Sequence, residues 1–373
     1  MALQLAVLGI ALFWLGVFAR VRKGRADTRY RLGTDAPVAT NIPRLAVVVP
    51  ARDEARNIEE CITCIRASDH PALEVLVFDD GSRDGTGALA RSAGARVVEG
   101  GDEPLPPGWK GKPWALRRAV EHVDAEWIAF VDADVRLHPG ALARVHSYAI
   151  REGCDLVSGF GRLLMGSFWE KVVQPSVGGL IIAGNDLAVV NDPERPDKAI
   201  ANGQLILVRR EAYRSVGGHE AVKDDILDDI GLALAFTARG LRARCLFMRE
   251  LFSCRMYTGF AELWHGWTKN LFPGMRYRLD VVAVLVVMVS FEFLSPYAIA
   301  LYALATEDVP LIATSMVLLA LIHAVRAYMD RIFEQELRYG LLQPLGALML
   351  LGLLLDSVRR TRAGNRTWKG RVY

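Results

Sequence analysis

The sequence predicts an α/β fold built on a parallel sheet, with an N-terminal membrane anchor and C-terminal membrane helices, on three observations. From Leu45 onward short apolar runs alternate with stretches of helical periodicity, which is the pattern of parallel strands covered by helices on both faces. Three of those runs end in charged side chains: Arg52, Asp53 and Glu54 after the first, Asp79 and Asp80 after the second, Asp132 and Asp134 after the fourth. Apolar stretches of spanning length or close to it lie at residues 2–19, 281–304, 310–325 and 341–358.

Residues 2–19 carry no charge, and the basic cluster Arg20, Arg22, Lys23, Arg25, Arg29 and Arg31 follows them. That order predicts a signal anchor at 1–19 with the rest of the soluble chain in the cytoplasm. Residues 20–43 read as a basic juxtamembrane linker and 44–250 as a globular domain. Strands are expected at 45–50, 73–80, 96–99 and 127–132. Helices are expected at 54–67, after Asp84, and at 113–123. The run 127–131 shows no alternation, so it is a strand buried on both faces, with Asp132 and Asp134 emerging at its C-terminal end. Ligands of open α/β sheets bind at that end. In extended backbone residues i and i+2 point the same way, so both carboxylates can face one point. Such a pair suits Mg²⁺ or Mn²⁺, with the remaining positions left to water and phosphate oxygens.

Further along, Pro139 is expected to open a helix, 156–160 to form a strand, and 165–190 to form a helix on a membrane or core surface. A strand over 202–210 has Gly203 at its start, where a ligand could approach the backbone. Asp224, Asp225, Asp228 and Asp229 precede a helix, an electrostatically favourable place for acidic side chains. Apolar or aromatic residues at 260, 263, 264, 267 and 271 predict an amphipathic helix within 251–280, with Trp264 and Trp267 at the bilayer interface. Residues 281–358 read as membrane helices, and Glu292 among them should face protein or water. The acidic loop 305–309 is expected outside, and 326–338, with Arg326, Arg331 and Arg338, inside. The last apolar segment, interrupted by Pro344, is expected to re-enter or to lie in the interface, which leaves the basic tail 359–373 cytoplasmic.

Composition narrows the function classes. Over 373 residues the hydrophobic share is 52%, and a net charge of +3 without a basic stripe excludes a nucleic-acid protein. Cys61 and Cys64 form a lone C-x-x-C in a helical stretch, and the five cysteines have no disulfide-like spacing; they read as reduced packing residues.

Four motifs then occur in order: P-A-R-D-E-A-R-N-I, F-D-D-G-S-R-D-G-T, K-G-K-P-W-A-L and F-V-D-A-D-V. Over residues 45–229 this series resembles the nucleotide-sugar domain of family 2 glycosyltransferases, a Rossmann-like fold of GT-A type. The resemblance implies that Pro50, Arg52, Glu54 and Asp80 hold the base and ribose. It implies that Asp132 and Asp134 hold metal and diphosphate, and that Lys112 lies near the nucleotide, where its ammonium would offset diphosphate charge. It also implies that of the pair Asp228 and Asp229, followed by x-x-L-A, the second is the catalytic base of an inverting displacement. R-M-Y-T-G-F, W-x-x-W-x-K and the tail T-W-K-G-R-V-Y resemble the bacterial branch that glycosylates carotenoid and hopanoid-type lipids. The activity so implied is transfer of a sugar, with glucose expected, from a UDP-sugar to a hydroxyl or carboxyl of a membrane lipid at a bacterial-type cell membrane. Two alternatives stand beside it. A processive polysaccharide synthase would carry Q-x-x-R-W where this chain has W-H-G-W-T-K. A non-catalytic nucleotide-sugar-binding membrane protein would have no need of a base.

Overall fold

The computed structural model describes residues 1–101, 104–364, 367–368 and 371–372. The basic tail expected at 359–373 therefore lies partly outside the described residues. The helices are α1 (Ala2–Ala26), α2 (Ile58–Arg66), α3 (Thr86–Ser92), α4 (Gly111–Ala119), α5 (Ala141–Arg151), α6 (Phe168–Gly184) and α7 (Leu187–Val190). They continue with α8 (Arg210–Ser215), α9 (Asp228–Ala238), α10 (Phe260–Gly274), α11 (Leu279–Met288), α12 (Ser295–Ala305), α13 (Val309–Ile332) and α14 (Gln343–Arg362). The strands are β1 (Leu45–Ala51), β2 (Leu73–Asp79), β3 (Arg96–Glu99), β4 (Trp127–Val131) and β5 (Val135–Leu137). Beyond them run β6 (Leu156–Phe160), β7 (Arg162–Leu163), β8 (Leu205–Arg209), β9 (Ala243–Phe247) and β10 (Phe252–Cys254).

The chain divides into two compact units. One comprises residues 30–164, 185–256 and 367–373; the other comprises 1–29, 165–184 and 257–366.

In the first unit a seven-stranded sheet runs in the order β3-β2-β1-β4-β8-β6-β9 among the described residues. Alternate residues of its central strands feed two cores. Val47, Val49, Val77, Ala129 and Val131 meet Ile58, Ile62 and Ile65 of α2 and Leu142 and Val145 of α5 on one face. Val48, Phe78, Ile128 and Phe130 meet Leu116 of α4 and Leu232 and Phe236 of α9 on the other. Burial on both faces is why these strands lack a polar alternation. Cys61 belongs to the first core, and all five cysteines are free.

The sheet is mixed rather than wholly parallel. β8 pairs antiparallel with both β4 and β6, while β1, β2, β3 and β4 run parallel. Because β8 runs the other way, it is its beginning, not its end, that lies at the C-terminal edge of β4: the Asp132 N–H donates to the Gln204 carbonyl at 3.2 Å. A small second sheet, β5-β10-β7, lays Cys254 against Val135, just past Asp134.

Several local expectations change. Residues 30–32 are not a free linker. The Phe247 N–H donates to the Tyr30 carbonyl at 2.8 Å, the Leu32 N–H donates to the Phe247 carbonyl at 3.0 Å, and Leu32 is buried. Pro139 precedes its helix, which starts at Ala141 behind Gly140. Pro344 sits in the first turn of α14, where a missing N–H costs nothing, so α14 runs unbroken and the proline gives no reason for re-entry.

In the second unit, four helical stretches are long and apolar enough to cross a membrane among the described residues: Ala2–Ala26, Leu279–Ala305, Val309–Ile332 and Leu337–Arg362. Val7, Ile10 and Trp14 of α1 pack with Ile299 and Ala303 of α12 and Leu311, Leu318 and Ile322 of α13. Helix α10 forms as expected, but its apolar stripe is a packed face: Leu263, Trp267 and Leu271 are buried. The Trp267 indole donates to Gln174 Oε1 of α6 at 2.9 Å, and the Trp264 indole donates to Asp356 Oδ2 of α14 at 2.8 Å. Only Phe260 of that stripe is exposed, at 39%. Trp267→Glu, which buries an unpaired carboxylate and empties an indole-sized space, should destabilise the detergent-solubilised protein by about 3–5 kcal/mol or more, read as a sharp fall in its thermal midpoint. Phe260→Glu should lower it far less; equal losses would contradict this orientation of the helix.

Candidate active site

The two loops that leave β1 and β2 are stitched to each other by the side chains of their own motifs. The Asp53 N–H donates to Ser82 Oγ at 3.0 Å and Asp53 Oδ1 accepts from the Arg83 N–H at 2.9 Å. The Glu54 N–H donates to Thr86 Oγ1 at 2.8 Å, and the Ala55 N–H to Asp84 Oδ2 at 2.9 Å. Asp53 occupies the left-handed region at φ 51, so the chain turns sharply there. The Arg52 guanidinium donates to the Asp80 carbonyl and lies 3.9 Å from its carboxylate. Asp80 is buried, Pro50 pairs with Phe78 in the sheet, and Glu54 accepts from the Asn57 amide at 2.9 Å. The four residues Pro50, Arg52, Glu54 and Asp80 thus belong to one loop pair at the C-terminal edge of β1 and β2.

Beside it, Asp132 and Asp134 follow β4. Lys112, in the first turn of α4, places its Nζ 2.6 Å from Asp132 Oδ1. Asp134 is more enclosed: its Oδ1 is buried with no hydrogen-bond partner among the described residues. Burial, with the charge of Asp132 beside it, pushes the Asp134 carboxyl up to about 7, although the Cys254 thiol donates to it. A buried carboxylate oxygen without a donor, next to a second carboxylate two residues away, is a donor set that fits a divalent cation. No group of three or more His, Cys, Asp or Glu side chains able to hold a metal occurs among the described residues. A cation here would therefore keep open positions for water and phosphate oxygens, as Mg²⁺ commonly does.

The start of β8 and the start of α9 complete the cleft. Asp229 Oδ2 accepts from the Gly203 N–H at 2.8 Å and Oδ1 from the Ile230 N–H at 2.9 Å. A Cβ placed on Gly203 would stand 3.0 Å from Lys112 Nζ and 3.3 Å from Asp229 Oδ2, so glycine there lets the backbone reach both groups. Burial and the neighbouring Asp228 raise the Asp229 carboxyl to about 6, against the opposing pull of Lys112 and the two N–H groups. Burial works to lower the Lys112 ammonium, but Asp132 and Asp228 outweigh it and hold the group charged. Asp224 pairs with Lys110 Nζ at 3.1 Å, and Asp225 packs where a Cβ on Gly231 would collide with it. Both therefore have structural employment.

Sequence reasoning did not find Lys110, His219 or Cys254. His219 lies 3.9 Å from Asp228 through its Nε2, and Cys254 covers Asp134 from a strand more than a hundred residues away. Lys110 opens the K-G-K-P-W-A-L motif without having been singled out in it, while His219 and Cys254 carry no local signal, since each is defined by what the fold brings beside it.

The chain matches glycosyl transferase family 2 over residues 46–216. It is similar to the 4,4'-diaponeurosporenoate glycosyltransferase of Staphylococcus aureus strain MRSA252, 31% identical over 237 residues, which are 63% of this chain and 62% of that protein. The alignment thus spans less than two thirds of that relative's length. With the protein of the same name from strain USA300 the identity is 28% over 339 residues, 89% of each chain. Among solved structures, the mannosyltransferase PcManGT from Pyrobaculum calidifontis, in complex with GDP-Man and Mn²⁺, superposes with a TM-score of 0.52. The match covers 97% of each chain at 19% identity, a likeness of fold.

Proposed function

We propose that this protein transfers a sugar, with glucose expected, from a UDP-sugar to a hydroxyl or carboxyl of a membrane lipid, with inversion and with Mg²⁺ or Mn²⁺. The observation that carries the reading is the gathering of Asp132, Asp228 and Asp229 around the single ammonium of Lys112, with Asp134 beside them. Pro50, Arg52, Glu54 and Asp80 would hold the nucleoside. Asp132 and Asp134 would hold the metal, which when bound offsets charge on the leaving diphosphate. Lys112, now paired with Asp132, has the charge and reach to assist there. A lipid acceptor is supported by the four apolar helices and by the carotenoid acid in the names of the relatives. The same reading puts the catalytic unit on the cytoplasmic side of a multi-pass protein.

If Asp132 and Asp134 jointly hold the cation, Asp132→Ala or Asp134→Ala should abolish the EDTA-sensitive part of UDP-sugar binding, measured by titration calorimetry. Metal-dependent binding that survives in the double variant would remove these residues from the metal site.

Asp229 is assigned as the base. A hydroxyl is a poor nucleophile near neutral pH, and a carboxylate within hydrogen-bond reach must take its proton as the sugar carbon is attacked. Asp229 acts only when ionised, so turnover on a hydroxyl acceptor should fall as pH drops through about 6. Asp229→Asn should cost about 10² to 10⁴ in turnover with such an acceptor while UDP affinity stays unchanged. A carboxylate acceptor arrives already ionised and needs no base, so with it the same substitution should cost far less. Full activity of Asp229→Asn on a hydroxyl acceptor would place the base elsewhere. If Asp228→Asn alone loses it, the assignment is off by one residue.

A further inference from the structure

The stretch G-G-H at Gly217, Gly218 and His219 has no part in the chemistry assigned above, yet it is built tightly against the acidic pair. Gly217 and Gly218 lie at φ 88 and 56, and a Cβ on Gly218 would stand 2.5 Å from the Tyr213 ring, so both positions need glycine. This turn carries His219, which is 1% exposed, onto Tyr213 of α8. The Tyr213 hydroxyl accepts from the His219 backbone N–H at 3.0 Å and lies 2.7 Å from His219 Nδ1. With the backbone N–H already donating to it, the buried hydroxyl satisfies its own single hydrogen by giving it to Nδ1. The imidazole proton is then on Nε2, and Nε2 faces Asp228 Oδ2 at 3.9 Å. The opposite tautomer would aim a lone pair at a carboxylate and strand the phenolic hydrogen. The ring is further clamped by Phe130, edge-on at 4.9 Å.

We infer that His219 is a positioning residue, held in its Nε2–H tautomer by Tyr213, that orients the Asp228 carboxylate and through it the Lys112 and Asp229 groups. The inference rests on the glycosyltransferase reading of this site, but not on which carboxylate is the base. Asp228 faces the imidazole at 3.9 Å, and its charge acts on Lys112, which in turn reaches Asp132 at 2.6 Å. At 3.9 Å the Nε2–H is beyond hydrogen-bond reach of Asp228 Oδ2, so it acts as a fixed dipole that favours one orientation of that charge without cancelling it, and hence one resting place for the ammonium and the adjoining Asp229.

The test uses the full-length protein in detergent. In protein labelled with ¹⁵N-histidine, the resonance lost in His219→Gln should show an Nε2–H tautomer, and Tyr213→Phe should abolish that fixed state; an Nδ1–H tautomer overturns the proposal. His219→Phe keeps a ring against Phe130 and removes the donor. It should lower kcat about 10-fold, the scale of coupling between contacting neighbours, with the Kd for UDP unchanged. His219→Gln, which restores an N–H, should recover most of that loss. Added to Asp228→Asn, His219→Phe should cost nothing more. Additive losses, or no rescue by Gln with a parallel fall in thermal stability, would make His219 a packing residue and overturn the proposal. The cycle through Asp228 reads the same whether or not Asp229→Asn is active, so failure of the base assignment remains distinguishable from failure of this one.

Discussion

The Lys112 ammonium, ringed by carboxylates, is the constraint on which the cleft depends. Like charges gathered at one sheet edge repel, and in a partly buried place the repulsion is not screened by water. The structure answers it in two ways visible side by side. Lys112 compensates Asp132, Asp228 and Asp229, while Asp134 and Asp229 respond with raised proton affinity. On the proposed function, a cation and a diphosphate would rearrange this balance: the cation would take over the carboxylates of Asp132 and Asp134, and the ammonium would become available to phosphate oxygens.

Much of this was legible in the sequence, for a physical reason. Strands buried on both faces must end where the chain leaves the sheet, so a charged residue directly after an apolar run has its place fixed by the run itself. Arg52, Glu54, Asp80, Asp132 and Asp134 were found that way, while Pro50 came from the family resemblance, and the structure sets all six along one edge. Lys112 and Asp229 came from the family's motif order. What sequence did not reveal is whatever depends on strand direction or distant contact. Nothing in residues 202–210 says that β8 runs antiparallel, yet that reversal is what places Gly203 against Asp229. His219 and Tyr213 behind Asp228, and Cys254 over Asp134, were silent for the same reason.

The unit that holds the four long apolar helices shows the opposite weakness of sequence reading. Apolar periodicity located α10 and the four long apolar helices well, because length and composition decide those. It could not say which apolar face meets lipid and which meets protein. The stripe of α10 satisfied the pattern of an interfacial helix, but the indole N–H groups of Trp264 and Trp267 are spoken for by Asp356 and Gln174. An indole needs a polar partner when it is enclosed, and here protein rather than the interface provides it. Pro344 misled in the same manner: a proline interrupts a helix only when it falls inside one.

The central claim is that Asp132 and Asp134 receive a metal while Lys112 turns to the diphosphate. It is tested most directly by a crystal structure with Mn²⁺ and UDP, collected at the manganese absorption edge. The account predicts one anomalous peak at coordination distance from both carboxylates and from UDP, with the Lys112 to Asp132 contact replaced by one to phosphate. UDP bound with the peak elsewhere, or with no metal and Lys112 still on Asp132, would contradict it.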